Sequence, residues 1–150
     1  MAQRESGYAR QGHDAYWTPQ WVYDALYTVE PRFKPALDVA PRNADEQGYD
    51  FLTAQDHVLG DIATNPPFSQ SDAFVRHALA CTKLIGGAVA MLLPIPWDTA
   101  NKRRDLWEVP FKAKYILTKR IRWENLEQKK NGPSTNHAWY VWDWQWWDRL

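Results

Sequence analysis

The sequence predicts a single α/β domain whose sheet is mainly parallel, with an antiparallel hairpin added at one edge by its late strands. Three observations carry that expectation. Short apolar runs alternate with amphipathic helical patterns. Residues 88–93 are apolar without alternation, as in a parallel strand covered on both faces. The late extended runs lie close together in the chain. A length of 150 residues suits one compact domain and leaves no room for a large specificity domain beside it. Residues 1–14 are polar and charged and are expected to be a flexible segment, with the domain occupying residues 15–150.

Taken in order, Thr18 and Pro19 predict a helix start, with Thr18 as the cap and Pro19 in the first turn. Val22, Ala25, Leu26 and Val29 then recur at helical spacing, and Pro31 and Pro35 end the pattern. Residues 36–39 read as a short strand, residues 40–47 as a polar loop, and residues 49–52 as a second short strand. Residues 61–63 form another, running into Asn65-Pro66-Pro67-Phe68. Ser71 is expected to cap a helix over residues 72–83, buried through Phe74, Val75, Ala78 and Leu79 and stopped by Gly86-Gly87. After the strand at 88–93, residues 99–107 predict a short helix. Residues 113–117 and 121–123 predict strands, residues 131–134 a turn, and residues 137–144 an aromatic-rich final strand.

Lys and Arg number 18 and Asp and Glu number 18, so the chain carries no net charge. That excludes a uniformly basic nucleic-acid binder, and any phosphate contact must come from local clusters. The candidates are Lys102-Arg103-Arg104, Lys119-Arg120-Arg122 and Lys129-Lys130. The one cysteine, Cys81, permits no intrachain disulfide, which favours a reducing compartment. The polar start does not read as a secretory signal, and the longest apolar run is too short to span a bilayer. A cytoplasmic protein without membrane contact is expected. His13, His57, His77 and His137 show no metal-ligand spacing with Cys81, so no metal is expected. Ten tryptophans are present, and Trp142, Trp144, Trp146 and Trp147 crowd the last nine positions. They suggest a packed terminal strand, base stacking or a subunit interface, and a homodimer through this tail is expected.

The chemically informative segment is Asn65-Pro66-Pro67-Phe68. Consecutive prolines cannot continue a sheet ladder, because neither donates an N–H. The loop therefore leaves the sheet at a strand end, where open α/β sheets bind ligands. Methylation of an exocyclic purine amine needs such a loop. The amine is a poor nucleophile while its lone pair is delocalised into the ring. The Asn65 side-chain oxygen and the Pro66 carbonyl could accept its two N–H bonds and draw the nitrogen toward tetrahedral geometry. Phe68 could stack on the base, which must first flip out of a duplex at a cost of a few kcal/mol. The alternative is that Phe68 is a core residue and Asn65 a loop cap.

This segment resembles the amino-methyltransferase motif, and the wider match is to phage and prophage DNA N6-adenine methyltransferases. Tyr16-Trp17-Thr18-Pro19 is similar to that family's N-terminal segment. Ala36-Leu37-Asp38-Val39-Ala40, followed by Asn43-Ala44, is similar to its cofactor segment. Residues 88–94 resemble the strand after its catalytic helix. Arg120-Ile121-Arg122-Trp123, with Pro133-Ser134 and the closing strand, resembles its tail. The resemblance runs over roughly residues 14–144. It implies a Rossmann-like methyltransferase fold, S-adenosylmethionine as methyl donor and DNA adenine as target. It implies cofactor contacts at Trp17, Thr18, Pro19, Asp38, Ala40 and Asn65, and catalysis by Asn65, Pro66, Pro67 and Phe68. The chain carries no G-x-G loop; Pro41-Arg42-Asn43 stands where such a loop is often found. A cytosine N4 amine or a protein glutamine amide would suit the same tetrad. A non-catalytic domain binding nucleic acid or a partner is the reading from another class.

Overall fold

Helical spacing of apolar residues on one side of residues 20–29 gives the first element, and the computed structural model forms it as α1, Gln20–Val29. The structure describes residues 17–36, 38–40, 50–53, 60–124 and 135–150. The expected flexible segment, the loop at 41–47 and the turn at 131–134 lie outside the described residues. Val22 and Leu26 are fully buried, whereas Val29, expected on the same stripe, is 45% exposed at the helix end. Pro19 takes the cap position, with no side-chain cap bond, so Thr18 is not the cap. A short 3-10 turn, Pro31–Phe33, follows and buries Phe33.

Strands β1 (Ile62–Thr64), β2 (Ala88–Pro94), β3 (Phe111–Ile116) and β4 (His137–Asp143) form one sheet in the order β1-β2-β4-β3. β1 and β2 run parallel, but β4 is antiparallel to both β2 and β3. The expectation of a mainly parallel sheet is thereby corrected: the sheet is mixed and mostly antiparallel. The apolar run of β2 reports burial on both faces, which β4 also has, and burial does not encode the direction of a partner. Among the described residues, the strands expected before β1 do not form either. The described residues at 36 and 38–40 form no strand, with Leu37 outside the described set, and Phe51 lies in a turn rather than a strand. Val39 and Phe51 are nonetheless buried, so the apolar signal there was for core, without pairing.

Helix α2 (Ser71–Lys83) covers one face of the sheet through Phe74, Val75, Ala78 and Leu79. Ser71 is its first residue rather than its cap, and its hydroxyl accepts a hydrogen bond from Trp97 Nε1 at 3.0 Å. Gly86 ends the helix turn at φ +65°, a conformation that glycine adopts without strain. The other face carries α1, Phe33, Leu117, Ile121 and Trp123. Residues 121–123 are buried at Ile121 and Trp123 but pair with no strand. The helix expected at 99–107 forms as two 3-10 segments, Ile95–Thr99 and Asn101–Trp107. Ala100 stands at the second segment's cap position, and Asp98 of the first segment pairs with Lys114 at 3.0 Å.

The aromatic tail is used mostly inside the chain. β4 points Tyr140 and Trp142 into one core and Trp139 and Val141 into the other. Trp142 stacks on Trp107 at 5.8 Å. The two fully buried indoles of β4 each donate to a carbonyl: Trp139 to that of Val22 and Trp142 to that of Leu106, both at 2.9 Å. Trp147 is 49% exposed. Among the described residues, no helix is long and apolar enough to cross a membrane.

Candidate functional site

β1 stops where its ladder donors stop. Thr64 is its last residue, and Pro66 and Pro67 follow with no N–H to offer. Both prolines are buried and anchor the loop. The Pro67 carbonyl accepts the Gln70 N–H at 3.0 Å, turning the chain directly into α2. Phe68, at the start of this turn, is 62% exposed. The loop thus buries its prolines and presents its phenyl ring, which removes the core alternative for Phe68.

The structure brings three of the sequence-selected segments together here. Asn65 Nδ2 donates to Thr18 Oγ1 at 3.0 Å across 47 residues of chain. Thr18, freed from capping α1, holds the Asn65 amide instead. Asp38 lies behind them as a hub. Its Oδ1 accepts from the Thr64 hydroxyl at 2.6 Å and from the Ala40 N–H at 2.9 Å. Its Oδ2 accepts from the Tyr23 hydroxyl at 3.4 Å. Burial raises the Asp38 pKa above the usual carboxylate range, and the hydrogen bonds from Thr64, Ala40 and Tyr23 oppose that rise. Burial also raises the Tyr23 phenol, and the Asp38 charge adds to the shift. Tyr23 therefore stays a neutral donor to Asp38.

Trp17 is 40% exposed, and its carbonyl accepts the Glu124 N–H at 3.0 Å. Pro19 is buried, while Ala40 is half-buried against the α2-side core. Sequence reasoning selected Thr18, Asp38 and Asn65 but missed Tyr23 and Thr64, which join them. Thr64 carried a usable signal: a hydroxyl ending an apolar strand needs a buried partner. Tyr23 carried none, because its partner stands 15 residues away in the chain.

The topology fixes which segments surround the loop. β1 and β2 are parallel, and β3 runs antiparallel to β4, so the carboxyl ends of β1, β2 and β3 share one edge of the sheet. Asn65, the 3-10 segments after β2 and residues 117–124 after β3 all leave from that edge. Arg103 and Lys102 there both engage Asp72 of α2, at 2.6 and 3.2 Å. Among the described residues, no three His, Cys, Asp or Glu side chains gather as a metal site would require. No family model, curated protein or solved structure matches the chain.

Proposed function

We propose that this chain transfers the methyl group of S-adenosylmethionine to the N6 amine of adenine in DNA. The observation that carries the reading is the Asn65-Pro66-Pro67-Phe68 loop at the carboxyl end of β1, with Asn65 tied to Thr18 and Phe68 exposed. Asn65 Oδ1 and the Pro66 carbonyl accept the two amine N–H bonds and localise the nitrogen lone pair. Phe68 stacks on the flipped base and sets its plane. The buried prolines keep the loop from relaxing when the base enters.

The residues around the loop suit a donor of this kind. Trp17 exposes a flat ring, Thr18 offers a hydroxyl, and the half-buried Asp38 carboxylate lies beside the Ala40 backbone. These residues, with Pro19 and Asn65, would hold S-adenosylmethionine, which supplies an electrophilic methyl on a sulfonium. In this reading the α/β sheet is a shortened Rossmann-like methyltransferase fold, its parallel pair β1–β2 carrying the site. The protein acts in the cytoplasm, and the exposed Trp147 offers a surface for a homodimer.

Two measurements test the reading. Expression in a methylation-deficient host, with genomic adenines and cytosines read base by base, should show N6-methyladenine. Saturating S-adenosylmethionine should raise the melting temperature, as any ligand of the folded state alone must. Unmodified adenine together with no shift at millimolar donor would overturn it, and modified cytosine would redirect it to the N4 amine.

A further inference from the structure

Leu117 N donates to the His137 carbonyl at 3.0 Å, so the chain continues past β3 along the start of β4 before turning away. From there residues 119–124 run beside residues 17–21 in the opposite direction. Glu124 N bonds the Trp17 carbonyl at one end, and Lys119 Nζ lies over the Trp21 ring, 4.6 Å from its centroid, at the other. Within this strap burial alternates. Ile121 is 0% and Trp123 5% exposed, both inserted in the α1-side core. Lys119, Arg120 and Arg122 are exposed. Trp123 is braced edge-on by His137 at 5.2 Å, and Arg120 Nε donates to Asn136 Oδ1 at 3.1 Å. Two apolar pegs thus hold an extended segment so that its cations face outward.

That strap borders the same Trp17-Thr18 segment that holds Asn65. On a chain with no net charge it concentrates three cations within four residues. A row of cations beside an exposed aromatic ring, here Trp17, suits a nucleic-acid strand: the cations meet phosphates and the ring meets a base. We propose that residues 119–122 are a docking strip for the DNA backbone, leading the strand past Trp17 to the Asn65 loop. The choice of DNA as partner rests on the methyl-transfer reading; the strip itself rests on its own geometry.

Binding of a fluorescein-labelled duplex to the whole chain, followed by anisotropy across a range of KCl and without methyl donor, tests the strip apart from catalysis. Arg120→Gln with Arg122→Gln should lower the slope of log affinity against log salt by about two, about one per lost phosphate contact. Arg120→Lys with Arg122→Lys should restore most of it. Lys83→Gln removes a cation at the far end of α2 and should leave the slope unchanged. If the glutamine pair fails to fold, judged by circular dichroism, Lys119→Gln carries the same expectation at about one unit. No duplex binding by the unaltered chain, an unaltered slope in the glutamine pair, or an equal loss in Lys83→Gln would each overturn the strip. Duplex binding without adenine methylation would instead overturn the methyl-transfer reading and leave the strip standing.

Discussion

The two ends of the sheet use polar residues in opposite ways. At the end where β1 and β2 begin and β4 finishes, charges are locked against one another. Arg32 bridges Asp61 at 2.9 Å and Asp143 at 3.1 Å, and Arg149 reaches Asp143 at 2.7 Å. Asp61 also accepts the Ala88 N–H and Asp143 the Gln145 N–H. These carboxylates join α1's trailing turn, both parallel strands and the chain terminus. At the Asn65 end, the half-buried carboxylate of Asp38 meets hydroxyls and a backbone amide, with no cation among its hydrogen-bond partners in the described residues. Phe68, Trp17 and the cations Lys119, Arg120 and Arg122 are exposed on segments of that end. The clamped end therefore ties its strands together through a shared arginine–carboxylate cluster. At the Asn65 end the ion pairs lie among the segments after β2, Arg103 and Lys102 with Asp72 and Lys114 with Asp98, and the groups around Asn65 itself are neutral donors, one carboxylate and aromatic surface. Side-chain substitutions should separate the two ends cleanly.

The largest effect on stability is expected at the clamped end. The Asp143 side chain is 1% exposed and serves two arginines. Asp143→Ala should cost about 3 kcal/mol, the lower part of the range for a broken buried pair, because Arg32 keeps Asp61. For a chain of this length that is a fall of about 6–12 °C in melting temperature, measurable by calorimetry. Adenine methylation measured well below the melting point should stay near that of the unaltered chain. At the other end, Asn65→Ala should reverse the pattern. Loss of one oriented acceptor typically costs ~100-fold or more in rate, about 3 kcal/mol. Its stability cost should include the Thr18 hydrogen bond, about 1 kcal/mol, and stay below that of Asp143→Ala. An Asn65→Ala chain that melts early yet methylates normally would make the loop structural and erase the contrast.

The sequence made the two ends unequally legible. Helical spacing located α1 and α2, and the apolar and aromatic runs located β2 and β4, because each pattern reports burial directly. It did not report pairing. Ile121 and Trp123 look like strand residues because they alternate with arginines, yet they peg a strap without a ladder. The antiparallel edge expected of the late strands forms between β3 and β4, but the same limit hid the insertion of β4 between β3 and β2. The Asn65 loop was readable because two adjacent prolines force a local consequence. Its joining to Thr18 was suggested only by order along the chain, and Asp38's ties to Tyr23 and Thr64 exist only once α1 is folded against the sheet. The arginine clamp was invisible, since Arg32 and Asp143 lie 111 residues apart.

A finer division of the Asn65 end comes from Phe68. Its exposure predicts that Phe68→Ala leaves the melting temperature almost unchanged, since little buried surface is lost. Stacking on the target base should fall by roughly 1–3 kcal/mol, read as weaker binding of an adenine-containing oligonucleotide. Phe68→Tyr and Phe68→Trp should retain most of that affinity. A large drop in melting temperature for Phe68→Ala, with binding intact, would return Phe68 to the role of packing residue.

The smallest effect is a pH dependence at the same end. His137 opens β4, half-buried, with Nδ1 at 3.2 Å from the Thr135 carbonyl and its ring edge-on to Trp123. Burial lowers its pKa below the ordinary 6.5, and the Thr135 contact opposes the shift only in part. Below pH 6.5 the unfolded chain binds a proton that the folded chain resists. The stability contributed by neutral His137 is thus present above 6.5 and is lost as pH falls through the depressed folded value. Asp38 works with the opposite sign, since its pKa is raised and its protonation at low pH favours the fold. The clean measurement is a difference: melting temperature against pH for the unaltered chain minus that for His137→Gln. The variant should lose less stability on acidification from pH 7, while Asp38 contributes equally to both curves and cancels. Parallel curves would mean that the start of β4 opens to water on protonation, and that this end of the sheet is looser than its packing against Trp123 requires.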